Sequence, residues 1–238
     1  MNVIILAAGF GSRLKPLTNN VPKPLLLVGN KSLLQYKIDS LRSMGFNDQQ
    51  IVVVVGYLKE KIIASFPTIT FIENKEFATT NNLYSLWLAK EYVKGGFILL
   101  NGDTWHSPHI FETFFSQGNR DFFNLSSFIG IDSSKKKSDD LCAAVDEKGS
   151  LIKVDFNIKY EDCAGKSVQF SWFNATDTLI FFKYIEDCLS RKEFSIGANI
   201  IPSDVMKKMN VKIIDVKGLP WLEIDTLADF ETAQKVIS

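Results

Sequence analysis

The sequence is poor in the residues that most often build metal and redox centres. Its 238 residues include two histidines and three cysteines. Cys142, Cys163 and Cys188 are odd in number and lack metal-ligand spacing, so the expectation is three free thiols in a reducing compartment. His106 and His109 in "DTWHSPH" stand three apart beside a proline with no dependable third ligand. That argues against zinc and for solvated or locally hydrogen-bonded rings. Net charge is also absent: 27 basic and 27 acidic side chains balance. A general nucleic-acid or membrane-surface binder would normally be basic, and neither partner is expected. No apolar run approaches the roughly 20 residues a membrane helix needs. "VIILAA" is ended too soon by glycine and arginine to serve as a signal peptide, and a cytoplasmic protein is expected. No repeat and no recognisable linker divides the chain, so residues 1–238 should form a single domain.

What is present is a regular alternation. "NVIIL", "QIVVVVGY", "TITFIEN" and "GGFILLNGD" read as buried strands. Between them, "KSLLQYKIDSLRSMGF" places Leu33, Leu34, Tyr36 or Lys37, Ile38, Leu41 and Met44 near helical spacing, with Gly45 as a stop. "TNNLYSLWLAKEYV" is a helix that Asn81 or Asn82 can cap. Strand and helix alternating at this spacing imply an α/β fold, Rossmann-like, with a mixed, mainly parallel sheet and helices on both faces. The second half differs. "LCAAVDEKGSLIKVDF" reads as a hairpin turning at Glu147 to Gly149, a small β insertion, followed by the strand "SVQFSWFNA" and the helix "DTLIFFKYIEDCLSR". "NVKIIDVKG" returns as a strand and "LADFETAQKVIS" closes as a helix. The charge run Ser133 to Asp140 reads as a solvated loop.

The densest stretch is "LAAGFGSRLKPLTNNVPKPLL", Leu6 to Leu26. It is not a dinucleotide fingerprint, because Leu14 stands where the third glycine belongs, nor a P-loop, because no Gly-Lys-Ser/Thr follows. Pro16 and Pro22 prevent a helix directly after the glycines. Gly9 and Gly11 let the backbone approach a ligand with its amides. Arg13 can fork onto phosphate oxygens, Lys23 can place a point charge there, and the prolines hold both in place. Such a loop is a triphosphate site built without a helix dipole. Phosphoryl transfer from a nucleoside triphosphate also needs a divalent ion, and Mg2+ favours one or two carboxylates with waters. Asp103 lies just past a strand end, where ligands bind in open α/β sheets; Asp225 and Glu223 in "PWLEIDT" share a strand face.

The run "GFGSRLKPLT…VPKPLL" resembles the signature of the nucleotidyltransferases that make NDP-sugars and CDP-alcohols, and matches it at every position. "NNLYSL" and "PWLEIDTLADF" resemble segments of the choline-phosphate and aminoethylphosphonate cytidylyltransferase branch. The resemblance implies a GT-A-like nucleotidyltransferase fold and an enzyme that transfers CMP from CTP to a small phosphorylated or phosphonate acceptor, for surface-polysaccharide or lipid-headgroup modification. It implies catalytic roles for Arg13 and Lys23, and Mg2+ held by Asp103 and Asp225. Leu6, Ala7, Ala8, Gly9, Gly11, Ser12, Asn81, Asn82 and Gly102 would contact nucleotide. Asp140, Trp105, Trp172 and Glu223 are the candidates for the acceptor, although Ala143 and Ala144 depart from a lysine in the aminoethylphosphonate relatives. The partners are then CTP or another nucleoside triphosphate and a small phosphorylated molecule, with a homodimer left open. Two other readings stand beside this one: a sugar-1-phosphate nucleotidyltransferase using UTP, dTTP or GTP, and a non-catalytic nucleotide-binding regulator.

Overall fold

The computed structural model describes residues 1–116, 125–136, 140–147 and 150–237. Its centre is β1 (Asn2–Ala7), flanked in parallel by β4 (Ile51–Val55) and β6 (Phe97–Asn101). β5 (Thr70–Glu73) continues the parallel run beside β4. The strands are apolar at almost every position because both faces are covered. Val3, Ile5 and Ala7 face one core with α1 (Leu33–Ser43), α2 (Lys59–Ser65) and α4 (Pro108–Ser116). Ile4 and Leu6 face the other, with α3 (Asn82–Leu88) and α5 (Ala175–Ser190).

β11 (Cys163–Phe173) reverses direction against β6 and carries the second half of the chain. On the edge opposite β6 it pairs antiparallel with β8 (Ser127–Asp132), and beyond the end of β6 it pairs antiparallel with β9 (Cys142–Val145) on the edge that β6 shares. β12 (Val211–Asp215) joins β8 in parallel, and β10 (Leu151–Asp155) joins β9 antiparallel. Among the described residues this makes one mixed nine-stranded sheet. The β9–β10 hairpin is the expected insertion; of its turn, residues 148–149 lie outside the described residues, as do residues 137–139 of the charge run. Two short ribbons stand apart, β2 (Leu27–Val28) with β3 (Lys31–Ser32), and β7 (Thr104–His106) with β13 (Trp221–Glu223). α6 (Ser203–Met206) and α7 (Leu227–Val236) complete the chain. Among the described residues no helix is long and apolar enough to cross a membrane.

Three local findings refine the expectations. α3 is shorter than its pattern, passing after Leu88 into a 3-10 turn at Lys90–Tyr92, with Gly95 and Gly96 both at positive φ beyond it. On α1, Lys37 rather than Tyr36 takes the core-facing position. The expectation of three free thiols is corrected: Cys142 and Cys163 form a disulfide, and among the described residues only Cys188 is a free cysteine. The cause is sheet register. Lys166 pairs with Cys142 and Cys163 with Ala144, so a bulged antiparallel pair sets the two Cα atoms 5.7 Å apart, a separation a disulfide can span.

Candidate active site

The loop after β1 is folded into two short 3-10 turns, Ser12–Leu14 and Lys23–Leu25, not a helix. Gly11 makes this possible. It sits at φ +63°, and an added Cβ would lie 3.1 Å from both the Lys23 Cβ and the Thr18 Cγ2. Thr18 closes the loop by donating its hydroxyl to the Gly11 carbonyl at 2.8 Å. Pro22, in extended conformation, then turns Lys23 inward, where the residue is only 8% exposed. The Lys23 Nζ donates to Asp225 Oδ1 at 2.6 Å and to Asp103 Oδ2 at 3.1 Å. Arg13 approaches from solvent and donates to Asp225 Oδ2 at 2.8 Å.

Two carboxylates from opposite ends of the chain meet here because of the β7–β13 ribbon. Glu223 pairs with Thr104, and the Ile224 amide donates to the Asp103 carbonyl at 3.0 Å, which carries Asp225 to the cleft. From the core side, Lys37 donates to the Thr104 carbonyl at 2.7 Å and holds the residue after Asp103.

The electrostatics follow from this packing. Burial would lower the Lys23 pKa, but Asp103 and Asp225 overcome it and raise the value above that of an ordinary lysine. Burial would raise Asp225, yet Lys23 and Arg13 hold it below the usual carboxylate range. Glu223 is pushed up by burial and by the charge of Asp103. Lys37, with no carboxylate in contact, is pulled down by burial to about 7.

Three cavities share Asp103. The first, about 210 Å³, is lined by Leu6, Ala7, Gly9, Gly11, Ser12, Arg13, Lys23, Gly102, Asp103 and Asp225. The second, about 190 Å³, lies over Ala8 between Asn74, Phe77, Asn81 and Asn82. The third, about 520 Å³, opens between Asn82, Asp140, Gln169, Asn199 and Glu223. Gly102 is needed for the first, since a Cβ there would come within 2.8 Å of the Leu6 carbonyl oxygen.

A two-carboxylate site for Mg2+ fits these residues. Asp103 Oδ1 is buried without a hydrogen-bond partner, an oxygen open to a hard cation. Among the described residues no group of three or more His, Cys, Asp or Glu could hold a metal, so waters and phosphate oxygens would have to complete the shell.

The family model described as "Nucleotidyl transferase" matches residues 2–127, more than half of the chain. The chain belongs to the nucleotidyl transferase family. Over its whole length this nucleotidyl transferase is 29% identical to the choline-phosphate cytidylyltransferase of Streptococcus pneumoniae, covering 98% of that protein. It is 26% identical to the 2-aminoethylphosphonate cytidylyltransferase of Lancefieldella rimae, over 96% of this chain and 89% of the relative. The solved structure of the CTP:phosphocholine cytidylyltransferase LicC from Streptococcus pneumoniae shares the fold, with a TM-score of 0.74 at 24% identity over 100% of this chain and 99% of the other.

In this nucleotidyl transferase, every glycine, cation and carboxylate singled out in the opening loop and at Asp103 and Asp225 lines the first cavity. Asn81 and Asn82 line the other two, but their side chains also carry structure. Asn81 caps α3 and donates to the Ser195 carbonyl at 2.8 Å, while Asn82 accepts from the Ala198 amide at 2.6 Å. Asp140 and Glu223 line the third cavity and are linked through Lys166, at 2.9 and 3.4 Å. Asp139, the neighbouring aspartate of the charge run, lies outside the described residues.

Trp105 and Trp172 are corrected: neither lines any of these three cavities, and both are buried in the apolar cores. Large rings at alternate strand positions point to the core side. His106 is buried, with Nε2 2.7 Å from the Val168 carbonyl oxygen, and burial pulls it to about 3. His109 is exposed beside Glu112, so the two rings do not converge. Sequence reasoning missed Asn101, Gln169 and Asn199, which line the third cavity from three distant segments. The one available signal was Asn101, two residues before Asp103 at the same strand end.

Proposed function

We propose that this nucleotidyl transferase transfers CMP from CTP to a small phosphorylated or phosphonate acceptor and releases pyrophosphate. The observation that carries the reading is the buried Lys23 ammonium held between Asp103 and Asp225 at the mouth of the glycine loop. The preference for CTP rests on the cytidylyltransferase relatives that match nearly the whole chain.

The acceptor oxygen attacks the α-phosphorus in line with the departing pyrophosphate: one P–O bond forms and the bond to the β-phosphate bridging oxygen breaks. The acceptor is already anionic, so no strong base is needed and rate comes from positioning and charge neutralisation. Arg13 and Lys23 now spend their hydrogen bonds on Asp225 and Asp103. A triphosphate supplies competing oxygens, and the exposed Arg13 is the cation freest to turn to them. Gly9 and Gly11 bring backbone close to the phosphates, and the cavity over Ala8 takes the base between Asn81, Asn82 and Phe77. Asp103 and Asp225 would hold Mg2+, which supplies neutralisation of charge on the triphosphate.

The test is pyrophosphate release from the purified protein with each of four nucleotides, against phosphocholine, aminoethylphosphonate, other phosphorylated alcohols and amides, and hexose-1-phosphates. Release with CTP and a small non-sugar acceptor is expected. Release with UTP or dTTP and a hexose-1-phosphate, and none with CTP, would replace this reading with the sugar-nucleotide one. Asp103→Ala should lose activity by orders of magnitude with its folding transition unchanged.

A further inference from the structure

One wall of the third cavity is a ladder of amide side chains ending on a carboxylate. Asn199 Nδ2 donates to Asn101 Oδ1 at 3.2 Å, Asn101 Nδ2 donates to Gln169 Oε1, and Gln169 Nε2 donates to Glu223 Oε1 at 2.5 Å. The order of this chain is dictated from its end. A carboxylate accepts only, so Gln169 must turn its amide nitrogen to Glu223 and its oxygen to Asn101. Asn101 must then present nitrogen to Gln169 and oxygen to Asn199. The free end of the ladder is therefore an acceptor, and Asn199 Oδ1 is buried there without a hydrogen-bond partner, on a residue only 9% exposed.

The backbone is strained to make this arrangement. Gln169 sits at φ +56°, a region non-glycine residues rarely occupy, where the register between β8 and β11 shifts from Ser167 to Ser171. Bulges of this kind re-aim a side chain. Here the re-aimed side chain is the one that joins Asn101 to Glu223.

The rest of the wall is mixed, with Leu141 and Ile200 beside further charged groups. Glu223 and Asp140 add carboxylates, and the cation between them, Lys166, is already engaged by both. Among the described lining residues the only ring is Phe156, which is exposed at the rim. A permethylated ammonium has no N–H to give and is held instead by aromatic faces. This wall provides oxygen acceptors in place of such faces.

We propose that the third cavity selects acceptors whose tail carries N–H or O–H donors, a primary ammonium, an amide or a hydroxyl, and that the Asn199–Asn101–Gln169–Glu223 ladder is the specificity determinant. This rests on the cytidylyl-transfer reading above. A methylated tail leaves the acceptor oxygens unsatisfied, and sites built to pair a polar group reject the analogue lacking it strongly.

The experiment compares matched acceptors with CTP and the full-length protein: phosphoethanolamine against phosphocholine, aminoethylphosphonate against its trimethyl derivative, and phosphorylated amides and alcohols against their methylated forms. A kcat/KM at least tenfold higher for the donor-bearing member of a pair is expected. Asn199→Leu and Glu223→Gln should each shrink that ratio while leaving the KM for CTP unchanged. Should either variant fold poorly, the wild-type ratio decides alone. Equal or better use of the methylated members overturns the inference and leaves cytidylyl transfer standing. Absence of CTP-dependent release with every acceptor overturns both.

Discussion

Lys37 offers a stringent check on how the Asp103 step is supported. Its ammonium is fully buried on α1 and donates to the Thr104 carbonyl, and burial lowers its pKa from 10.5 to about 7, against the pull of Asp103. The displacement from 10.5 to about 7 corresponds to roughly 5 kcal/mol at the limit. Its sign is fixed by linkage. Between about pH 7 and 10.5 the unfolded chain keeps a proton on this lysine that the folded chain has shed. Stability therefore rises with pH across that window, by about 1.4 kcal/mol per pH unit where the effect is fully developed. Lys37→Met removes this dependence. It also strips a partner from the Thr104 carbonyl, at a cost of about 1–3 kcal/mol that does not vary with pH. Urea unfolding of both proteins at pH 7.5, 8.5 and 9.5 isolates the difference. The wild type should gain about 2–3 kcal/mol on the variant over that range. Parallel curves would mean that Lys37 is not buried as an amine against Thr104.

Lys23→Ala should lower kcat by about 10²–10³, the loss expected for a positioned charge at the reacting phosphate. Arg13→Ala should cost less, because its side chain is 68% exposed and screened; steady-state kinetics with saturating nucleotide separates the two. Thiol titration of the unfolded, unreduced protein should find one reactive cysteine, Cys188, rising to three after reduction. Cys142→Ser with Cys163→Ser should cost about 3 kcal/mol in chemical denaturation, given the 21-residue separation. Gly11→Ala should destabilise by about 1–2 kcal/mol and raise the KM for nucleotide, because the position combines φ +63° with neighbours 3.1 Å from the new Cβ.

Much of the candidate site was legible because its parts are local. Gly11, Arg13 and Lys23 lie within one loop whose prolines and glycines have direct backbone consequences, and Asp103 follows a strand that buries itself by composition. Asp225 was legible by motif, although what brings it to Asp103 is the β7–β13 register. The ladder of Asn101, Gln169, Asn199 and Glu223 was not legible, since it is assembled across 122 positions by one bulge and a left-handed glutamine that no periodicity announces. The disulfide escaped for a related reason: β9 and β11 are neighbours only because β11 runs past both β8 and β9. Trp105 and Trp172 misled because an aromatic ring has the same sequence signature in a core as in a ligand cage. On α1 the pattern left Tyr36 and Lys37 both open, and packing puts the charged one in the position the helix reserves for the core.

The most direct test of the central claim follows one oxygen. With CTP and an acceptor carrying 18O in its phosphate or phosphonate group, the product should be a CDP-linked or CMP-linked molecule in which the label occupies the new P–O–P bridge, with unlabelled pyrophosphate released. Free CMP bearing a solvent oxygen, or label appearing in pyrophosphate, would contradict attack by the acceptor on the α-phosphorus.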